Sequence, residues 1–126
     1  MPGPIIYRRG SVYLVDFPPP DNSEPIRKYA LCVQGSVLLG DKRERFLGAL
    51  LTTKNLETRY PWDVLLSPEE SHSATGVRVV LSELHTIMKA WVIKRAYDLR
   101  PETMRSVDKA LLVALGLLVV PPASSV

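Results

Sequence analysis

The chain has 126 residues, of which 46% are hydrophobic and 23% charged, a balance typical of a globular protein and not of a disordered segment. Its length predicts a single domain over residues 1–126. The net charge of +3 favours polyanions only weakly, and a single cysteine excludes an intramolecular disulfide, so we expect a reducing, cytoplasmic location.

Neither a membrane segment nor a metal site is expected from the sequence. The first ten residues, MPGPIIYRRG, lack the long apolar core of a signal peptide. The longest apolar run, ALLVALGLLVV at 110–120, is shorter than the roughly 20 residues that cross a bilayer. The one cysteine, Cys32, is expected to be a buried hydrophobe, and it lies too far along the chain from His72 and His85 to suggest a zinc site. We expect no cofactor.

Short extended segments fill the first half of the chain. Three are rich in β-branched, aromatic or other apolar residues: SVYLVDF (11–17), YALCVQGSVLL (29–39) and FLGALLTT (46–53). Between them lie the polar loop PPPDNSEPIRK (18–28), with turn residues Asp21, Asn22 and Pro25, and the solvated turn DKRER (41–45). Gly48 is expected to mark a bulge or a close approach of two backbones.

Two further strands are predicted at WDVLLS (62–67) and GVRVVLSEL (76–84), on either side of the loop PEESHSAT (68–75). The segment TIMKAWVIKRAYDL (86–99) predicts a short helix followed by a strand. Short strands with regular turns are typical of a small barrel or sandwich.

The final element is predicted to be an amphipathic helix. Asp98 and Pro101 supply residues that start helices, and the segment 101–118 repeats apolar residues at helical intervals. One stripe is formed by Met104, Val107, Leu111, Ala114, Leu115 and Leu118, and we expect it to contact the core. The predicted architecture is mainly β, a small antiparallel barrel closed by a C-terminal α-helix.

Two pairs of residues suggest a phosphate site. Arg27 and Lys28 place adjacent cations where a strand is about to begin, and Thr52 and Thr53 end the next strand. A rigid sheet would hold a cation and a hydroxyl ready for a phosphate. The alternative to a phosphate site is that Arg27 and Lys28 are ordinary charges of a loop. Thr52 and Thr53 would then be present only because threonine favours strands. Trp62 and Trp91 could stack on bases, although burial in the barrel or in a dimer is the alternative for both.

Six segments occur in the same order as in the MazF/PemK toxin family, which this chain resembles over nearly its whole length. They are RRGSVYLVDF, the SE of the following loop, the cation before ALCVQ, ALLTT, ELHTI and VDKALLVALGL. The resemblance implies an SH3-like barrel of the CcdB/PemK type and a homodimer. It also implies a metal-independent, sequence-selective endoribonuclease of single-stranded RNA, an mRNA interferase, and a cognate antitoxin whose flexible segment covers the RNA groove.

The family's main functional pair, an Arg before one strand and a Thr after the next, can be carried over to this chain. Lys28 aligns with that Arg, and Arg27 precedes it by one residue. Because the planar guanidinium of Arg can hold two phosphate oxygens, we favour Arg27 for this role, with Lys28 second. The threonine corresponds to Thr52, with Thr53 as its neighbour.

The remaining candidates would contact the substrate. Ser23 and Glu24 occupy the family's loop position, where some members carry a histidine base. Some members also use an Arg and an Asp on the strand before an Arg-Thr-Ile segment. These positions are Val80 and Ser82 here, with Arg78 and Glu83 nearby, and His85 replaces the Arg of that segment.

A metal-free ribonuclease uses the 2′-OH of RNA as its nucleophile. We expect a 2′,3′-cyclic phosphate and a 5′-OH end, with Glu24 or Glu83 accepting the proton. A pair formed by His72 and His85, as in two-histidine ribonucleases, is a less favoured alternative.

Two other functions fit the same resemblance. One is a binding module whose active site has decayed, which the substitutions at Val80 and Ser82 favour. The other is a gyrase inhibitor of the CcdB type, which acts through a Trp-containing C-terminus. This chain ends in VVPPASSV, without Trp, which argues against that function.

Overall fold

The computed structural model describes residues 3–21, 23–40 and 42–119. Its strands are β1 (Ser11–Phe17), β2 (Ile26–Cys32), β3 (Arg45–Thr52), β4 (Asp63–Leu66), β5 (Val77–Met88) and β6 (Val92–Asp98). Its helices are α1 (Pro68–Ser71) and α2 (Pro101–Ala114), and single 3-10 turns lie at Ser36–Leu38 and Lys89–Trp91. Outside the described residues lie Asn22, Asp41 and the C-terminal residues 120–126. The comparison with gyrase inhibitors depends on that C-terminal segment.

The strands form one antiparallel sheet in the order β4-β5-β3-β2-β1-β6. The twelve-residue β5 is long enough to pair with β3 and with β4. The fold class predicted from the sequence, mainly β with one C-terminal helix, is confirmed. The predicted barrel, however, is not closed by hydrogen bonds: the ladder is open, and β4 and β6 are its edges.

Both faces of the sheet are covered by apolar side chains. Successive residues of a strand point to opposite faces, and Val12 and Tyr13 accordingly belong to different clusters. Helix α2 covers the Val12 side with Val107 and Ala110. The N-terminal residues before β1, together with Trp91, cover the Tyr13 side. Among the described residues, no helix is long and apolar enough to span a membrane.

Several predicted boundaries differ from the structure. Strand β2 begins at Ile26, so Arg27 and Lys28 lie within the strand and not in the loop before it. The helix predicted after Thr86 is wrong, since β5 continues to Met88 and only a 3-10 turn separates it from β6. The loop predicted at 68–75 contains the one-turn helix α1.

Helix α2 is shorter than its apolar pattern predicts. Gly116 has a φ of +75° and lies two residues after the last helical residue, where a left-handed residue ends a helix. Val107 is buried and Met104 packs on the core, as predicted, whereas Leu115 and Leu118 are exposed.

The start of α2 is also set differently from the prediction. Arg100, not Asp98, precedes the first turn, and its own side chain provides no cap. Glu70 of α1 supplies the missing acceptor: its carboxylate accepts from the Arg100 backbone N–H at 2.9 Å and from the Thr103 hydroxyl at 2.8 Å. Asp98 accepts instead from the Ser11 hydroxyl. A cap from a distant segment leaves no local sequence signal.

Gly48 is a point of close approach, one of the two roles predicted for it. A Cβ there would lie 2.5 Å from Ile87 Cδ1 and 3.2 Å from the Leu31 carbonyl oxygen. The irregularity in the pairing of β3 lies after it, between Ala49 and Leu51. Cys32 is fully buried, as predicted, and burial raises the pKa of its thiol to about 11.

Candidate nucleic-acid interface

Two neighbouring cavities lie where β2 and β3 separate. The Tyr97 cavity, of about 460 Å³, is lined by Lys94 and Tyr97 of β6, His72 and residues of β2 and β3. The Trp62 cavity, of about 430 Å³, is lined by Tyr60, Trp62, Arg78 and residues of β5. Four residues line both cavities: Lys28, Leu51, Thr52 and Lys54.

The strand register explains why the cavities open at this point. The pairing of β2 with β3 runs from Cys32↔Gly48 to Ala30↔Leu50 and then stops. Continuing that register by two residues would set Lys28 opposite Thr52. Both side chains therefore lie at the point of separation, on backbones that the paired parts of the strands hold in place.

Arg27 is engaged by a neighbouring strand. Its guanidinium donates to both carboxylate oxygens of Asp16 in β1, from Nε at 2.8 Å and from Nη2 at 3.2 Å. The two residues face each other in the β1–β2 register. This hydrogen bonding raises the pKa of Arg27 and lowers the pKa of Asp16. Much of the planar fork that would hold a phosphate is thus already occupied by a carboxylate.

Lys28 and Thr52 are differently placed. Within the described part of the chain, the Lys28 ammonium forms no hydrogen bond or salt bridge. The Thr52 hydroxyl oxygen accepts from the Lys54 backbone N–H at 3.1 Å, which leaves its own proton available to donate. A phosphate between the two strand ends would meet an ammonium and a hydroxyl donor.

The other predicted site residues divide into two groups. Thr53 lines the Tyr97 cavity, and Ser82 and Glu83 line the Trp62 cavity. Ser23 and Glu24 are exposed in the β1–β2 loop and are not among the described residues that line either cavity. The structure therefore brings six of the eight predicted site residues to the two cavities.

The Tyr97 cavity is rich in positive charge. Arg27, Lys28, Lys54 and Lys94 line it, and none of the described residues lining it is acidic. Burial raises the pKa of Tyr97 to about 12, with smaller contributions from Tyr29 and Glu70. Its hydroxyl, like that of any tyrosine at neutral pH, is protonated and can donate. These groups suit a phosphodiester chain.

The Trp62 cavity has a fixed cation in its wall. Arg78 donates to Asp63 Oδ2 at 2.6 Å and to the Lys54 carbonyl oxygen at 3.4 Å. Only 4% of the Asp63 side chain is exposed, and its Oδ1 has no partner among the described residues. The ion pair fixes Arg78 next to the strand end that carries Thr52, with which Arg78 is paired.

The two histidines line different cavities: His72 packs on Tyr97 in the Tyr97 cavity, and His85 lines the Trp62 cavity. Of the two tryptophans, Trp91 packs on Phe17, with ring centroids 5.8 Å apart, and against the buried cluster that contains Tyr13. This placement matches the alternative role in packing and not base stacking. Trp62 stacks on Tyr60 instead. In the described part of the chain, no cluster of three or more His, Cys, Asp or Glu is arranged to hold a metal ion.

Several residues near the site were not identified from the sequence, among them Asp16, Lys54 and Lys94. Lys54 follows the Thr52–Thr53 pair directly, and this nearness is a signal that could have found it. Asp16 and Lys94 reach the site only through the pairing of β1 with β2 and β6, which no local pattern specifies.

Solved structures similar to this one are endoribonuclease and MazF proteins. A mycobacterial endoribonuclease in complex with its cognate antitoxin is 24% identical, with a TM-score of 0.72 over 94% of this chain and 100% of that one. A second mycobacterial endoribonuclease is 25% identical, with a TM-score of 0.70 over 95% and 98%. A MazE–MazF complex from Deinococcus radiodurans is 17% identical, with a TM-score of 0.74 over 91% and 100%.

A search of curated proteins finds no match. The family comparison covers most of the chain, since residues 8–115 match the model of PemK-like, MazF-like toxins of type II toxin–antitoxin systems. That match includes every strand, both helices and both cavities. The chain belongs to the PemK-like, MazF-like toxin family.

Proposed function

We propose that this protein is the toxin of a type II toxin–antitoxin system and acts in the cytoplasm as a metal-independent, sequence-selective endoribonuclease of single-stranded RNA. One observation carries the proposal: Lys28 and Thr52 lie where β2 and β3 separate, and each lines both cavities of a cation-rich groove. The similarity to solved endoribonucleases at 24% and 25% identity supports it.

The reaction needs little beyond position and charge. The 2′-oxygen of the RNA attacks the adjacent phosphorus, the bond from phosphorus to the 5′-oxygen breaks, and a 2′,3′-cyclic phosphate forms. The 2′-OH proton passes to a base, and the departing 5′-oxygen takes up a proton to leave a 5′-OH. Positioning and fixed positive charge supply most of the rate in such phosphoryl chemistry.

The roles follow from which of the two cavities each residue lines. We assign the scissile phosphate to Lys28, with Thr52 donating a hydrogen bond to a phosphate oxygen. Glu83, which lines the Trp62 cavity with both, is better placed than Glu24 to accept the 2′-OH proton, and His85 lines the same cavity. Arg27 and Thr53 serve the neighbouring backbone in the Tyr97 cavity.

A protein partner is part of this function. Among the similar solved structures, one is an endoribonuclease in complex with its cognate antitoxin and another is a MazE–MazF complex. An acidic, flexible antitoxin segment lying across Arg27, Lys28, Lys54 and Lys94 would block the RNA. We also propose a homodimer, for which the exposed Leu115 and Leu117 after α2 provide apolar surface. A monomeric mass at micromolar concentration would contradict the dimer.

The site is tested by changing both cations. The purified Arg27→Ala/Lys28→Ala double variant is incubated with a long single-stranded RNA in EDTA beside the wild type. We expect discrete cuts from the wild type and none from the variant, because the phosphate loses its fixed charge. The matched control is Lys42→Ala/Arg43→Ala, which removes the same charge from two exposed residues that line neither cavity and should cleave normally.

Thermal melting by circular dichroism verifies that both variants remain folded. Undiminished cleavage by the Arg27→Ala/Lys28→Ala variant would overturn the site. Intact RNA with the wild type, on several sequences, would overturn the endoribonuclease and favour a binding module on the same fold.

A further inference from the structure

The loop between β3 and β4 carries two aromatic rings that do not belong to the core. Tyr60 and Trp62 stack with centroids 4.8 Å apart and planes inclined by only 8°. Neither ring belongs to the two buried clusters or to the partly buried side chains packed against them. Nearly half of the Tyr60 side chain, 48%, is exposed. The pair is therefore not explained by packing of the described core.

The same rings face the proposed phosphate site. Tyr60 and Trp62 line the Trp62 cavity together with Lys28, Thr52 and Arg78. Its volume, about 430 Å³, falls in the usual range for small-molecule sites. An aromatic surface beside cations is the arrangement that binds single-stranded nucleic acid, since bases stack on rings while phosphates meet the positive charge.

The loop holds the rings in place before any ligand binds. The Thr58 backbone N–H and hydroxyl both donate to the Asn55 carbonyl oxygen, at 3.2 and 2.8 Å. Arg59 donates to the carbonyl oxygen of Leu56 at 2.7 Å. The Asp63 N–H closes the turn onto the Tyr60 carbonyl oxygen at 3.1 Å. A surface already ordered in this way loses little conformational entropy when a base stacks on it.

We propose that Tyr60 and Trp62 form a stacking platform for one nucleobase of single-stranded RNA, next to the phosphate at Lys28. The inference rests on the proposed function and adds a substrate-binding subsite to it. Because every base has a flat π-face, the platform contributes affinity and orientation, and other groups read the sequence. Arg78, held by Asp63, lines the same cavity and adds a fixed positive charge to it.

Cleavage kinetics test the platform. Tyr60→Ala/Trp62→Ala should raise KM for RNA by about ten- to a hundred-fold, the range expected for loss of base stacking. The matched control, Tyr60→Phe/Trp62→Phe, keeps an aromatic ring at each position and should stay close to the wild type. An unchanged KM in the alanine variant, or an equal loss in the phenylalanine variant, would overturn the platform. If the double alanine variant does not fold, Tyr60→Ala alone takes its place, since that side chain is half exposed.

A binding measurement separates the platform from the nuclease. The probe is a short, fully 2′-O-methylated single-stranded RNA, which lacks the nucleophile and cannot be cleaved. We expect it to quench tryptophan fluorescence in the wild type. Trp62→Phe should bind the probe with similar affinity by anisotropy but lose the quenching, because only Trp91 remains to report. Equal quenching in the two proteins would assign the signal to Trp91 and overturn the platform.

The combined outcomes distinguish the two proposals. Quenching that depends on Trp62, without cleavage of unmodified RNA, would reject the nuclease and keep the platform as an RNA-binding surface. Cleavage without any effect of Tyr60 or Trp62 would keep the nuclease and reject the platform. Absence of both cleavage and binding would reject both. A dimer lost in the alanine variant would show that the rings contact a second copy instead.

Discussion

Arg27 and Lys28 are neighbours in sequence but differ in what they contact. Arg27 meets Asp16 across the β1–β2 pairing and binds it through two nitrogen atoms. Lys28 lines both cavities, beside the strand end that carries Thr52. The chemistry of the residue types alone favours Arg27 for a phosphate, since its fork is better suited to two oxygens. The contacts in the folded protein favour Lys28.

Single substitutions test this difference. Lys28→Ala should lower kcat by about a hundred-fold or more, as expected for loss of one fixed group that stabilises developing charge. Arg27→Ala should lower it by about ten-fold or less, since the guanidinium is already paired with Asp16. Steady-state cleavage of one RNA by the two variants gives the comparison, with Lys42→Ala as the control for net charge. A larger loss of kcat in Arg27→Ala than in Lys28→Ala would show that Arg27, not Lys28, binds the scissile phosphate.

At the scale of elements, one carboxylate joins the two helices. Only 6% of the Glu70 side chain is exposed, and it accepts from the Arg100 backbone N–H, the Arg100 guanidinium and the Thr103 hydroxyl. Burial opposes ionisation of this carboxyl, but the hydrogen bonds outweigh burial and lower the pKa of Glu70. The carboxylate therefore caps a helix through Arg100, which lies thirty residues later in the chain.

The sign of the pH dependence follows from that lowered pKa. A carboxyl with a lower pKa in the folded state stabilises the protein above its ordinary pKa of 4.5, and the stabilisation is lost as the pH falls through the folded value. Glu70→Gln should lower the free energy of unfolding by about 1 kcal/mol at pH 7 and by progressively less in acid. Urea unfolding at several pH values measures this.

The control for the cap is Glu69→Gln, which removes a neighbouring exposed carboxylate of the same short helix. It should change the stability little at any pH. A loss for Glu70→Gln that stays constant from pH 7 into acid would contradict the assigned role of the charge.

The elements also differ in how far their sequences specify them. The strand that contains Ser11–Phe17 could be read directly, because its apolar residues end in three prolines. The segment after Thr86 could not, because its mixed apolar and basic residues suit a helix as well as a strand, and the pairing of Met88 with Arg45 decides for the strand. The end of α2 was marked by Gly116, but the apolar pattern continues past it.

At the scale of the whole molecule, the site depends on contacts between distant segments. Lys28 and Thr52 were identified by a family resemblance in short motifs, and the β2–β3 register places them at one cavity mouth. The contribution of Lys94 could not be foreseen, because it requires β6 to lie on the far side of β1 from β2. The pairing of Asp16 with Arg27 could not be predicted either, because a loop of eight residues separates β1 from β2 and its sequence does not set their register.

The central claim is that this protein cleaves RNA without a metal and uses the 2′-OH of the RNA as the nucleophile. The most direct test of that claim is the chemistry of the cut ends. The wild-type protein is incubated with a long single-stranded RNA in EDTA, and both new ends at each cut are identified. We predict discrete cuts that leave a 2′,3′-cyclic phosphate and a 5′-OH. Ends that carry a 5′-phosphate and a 3′-OH, or cleavage that EDTA abolishes, would contradict the account.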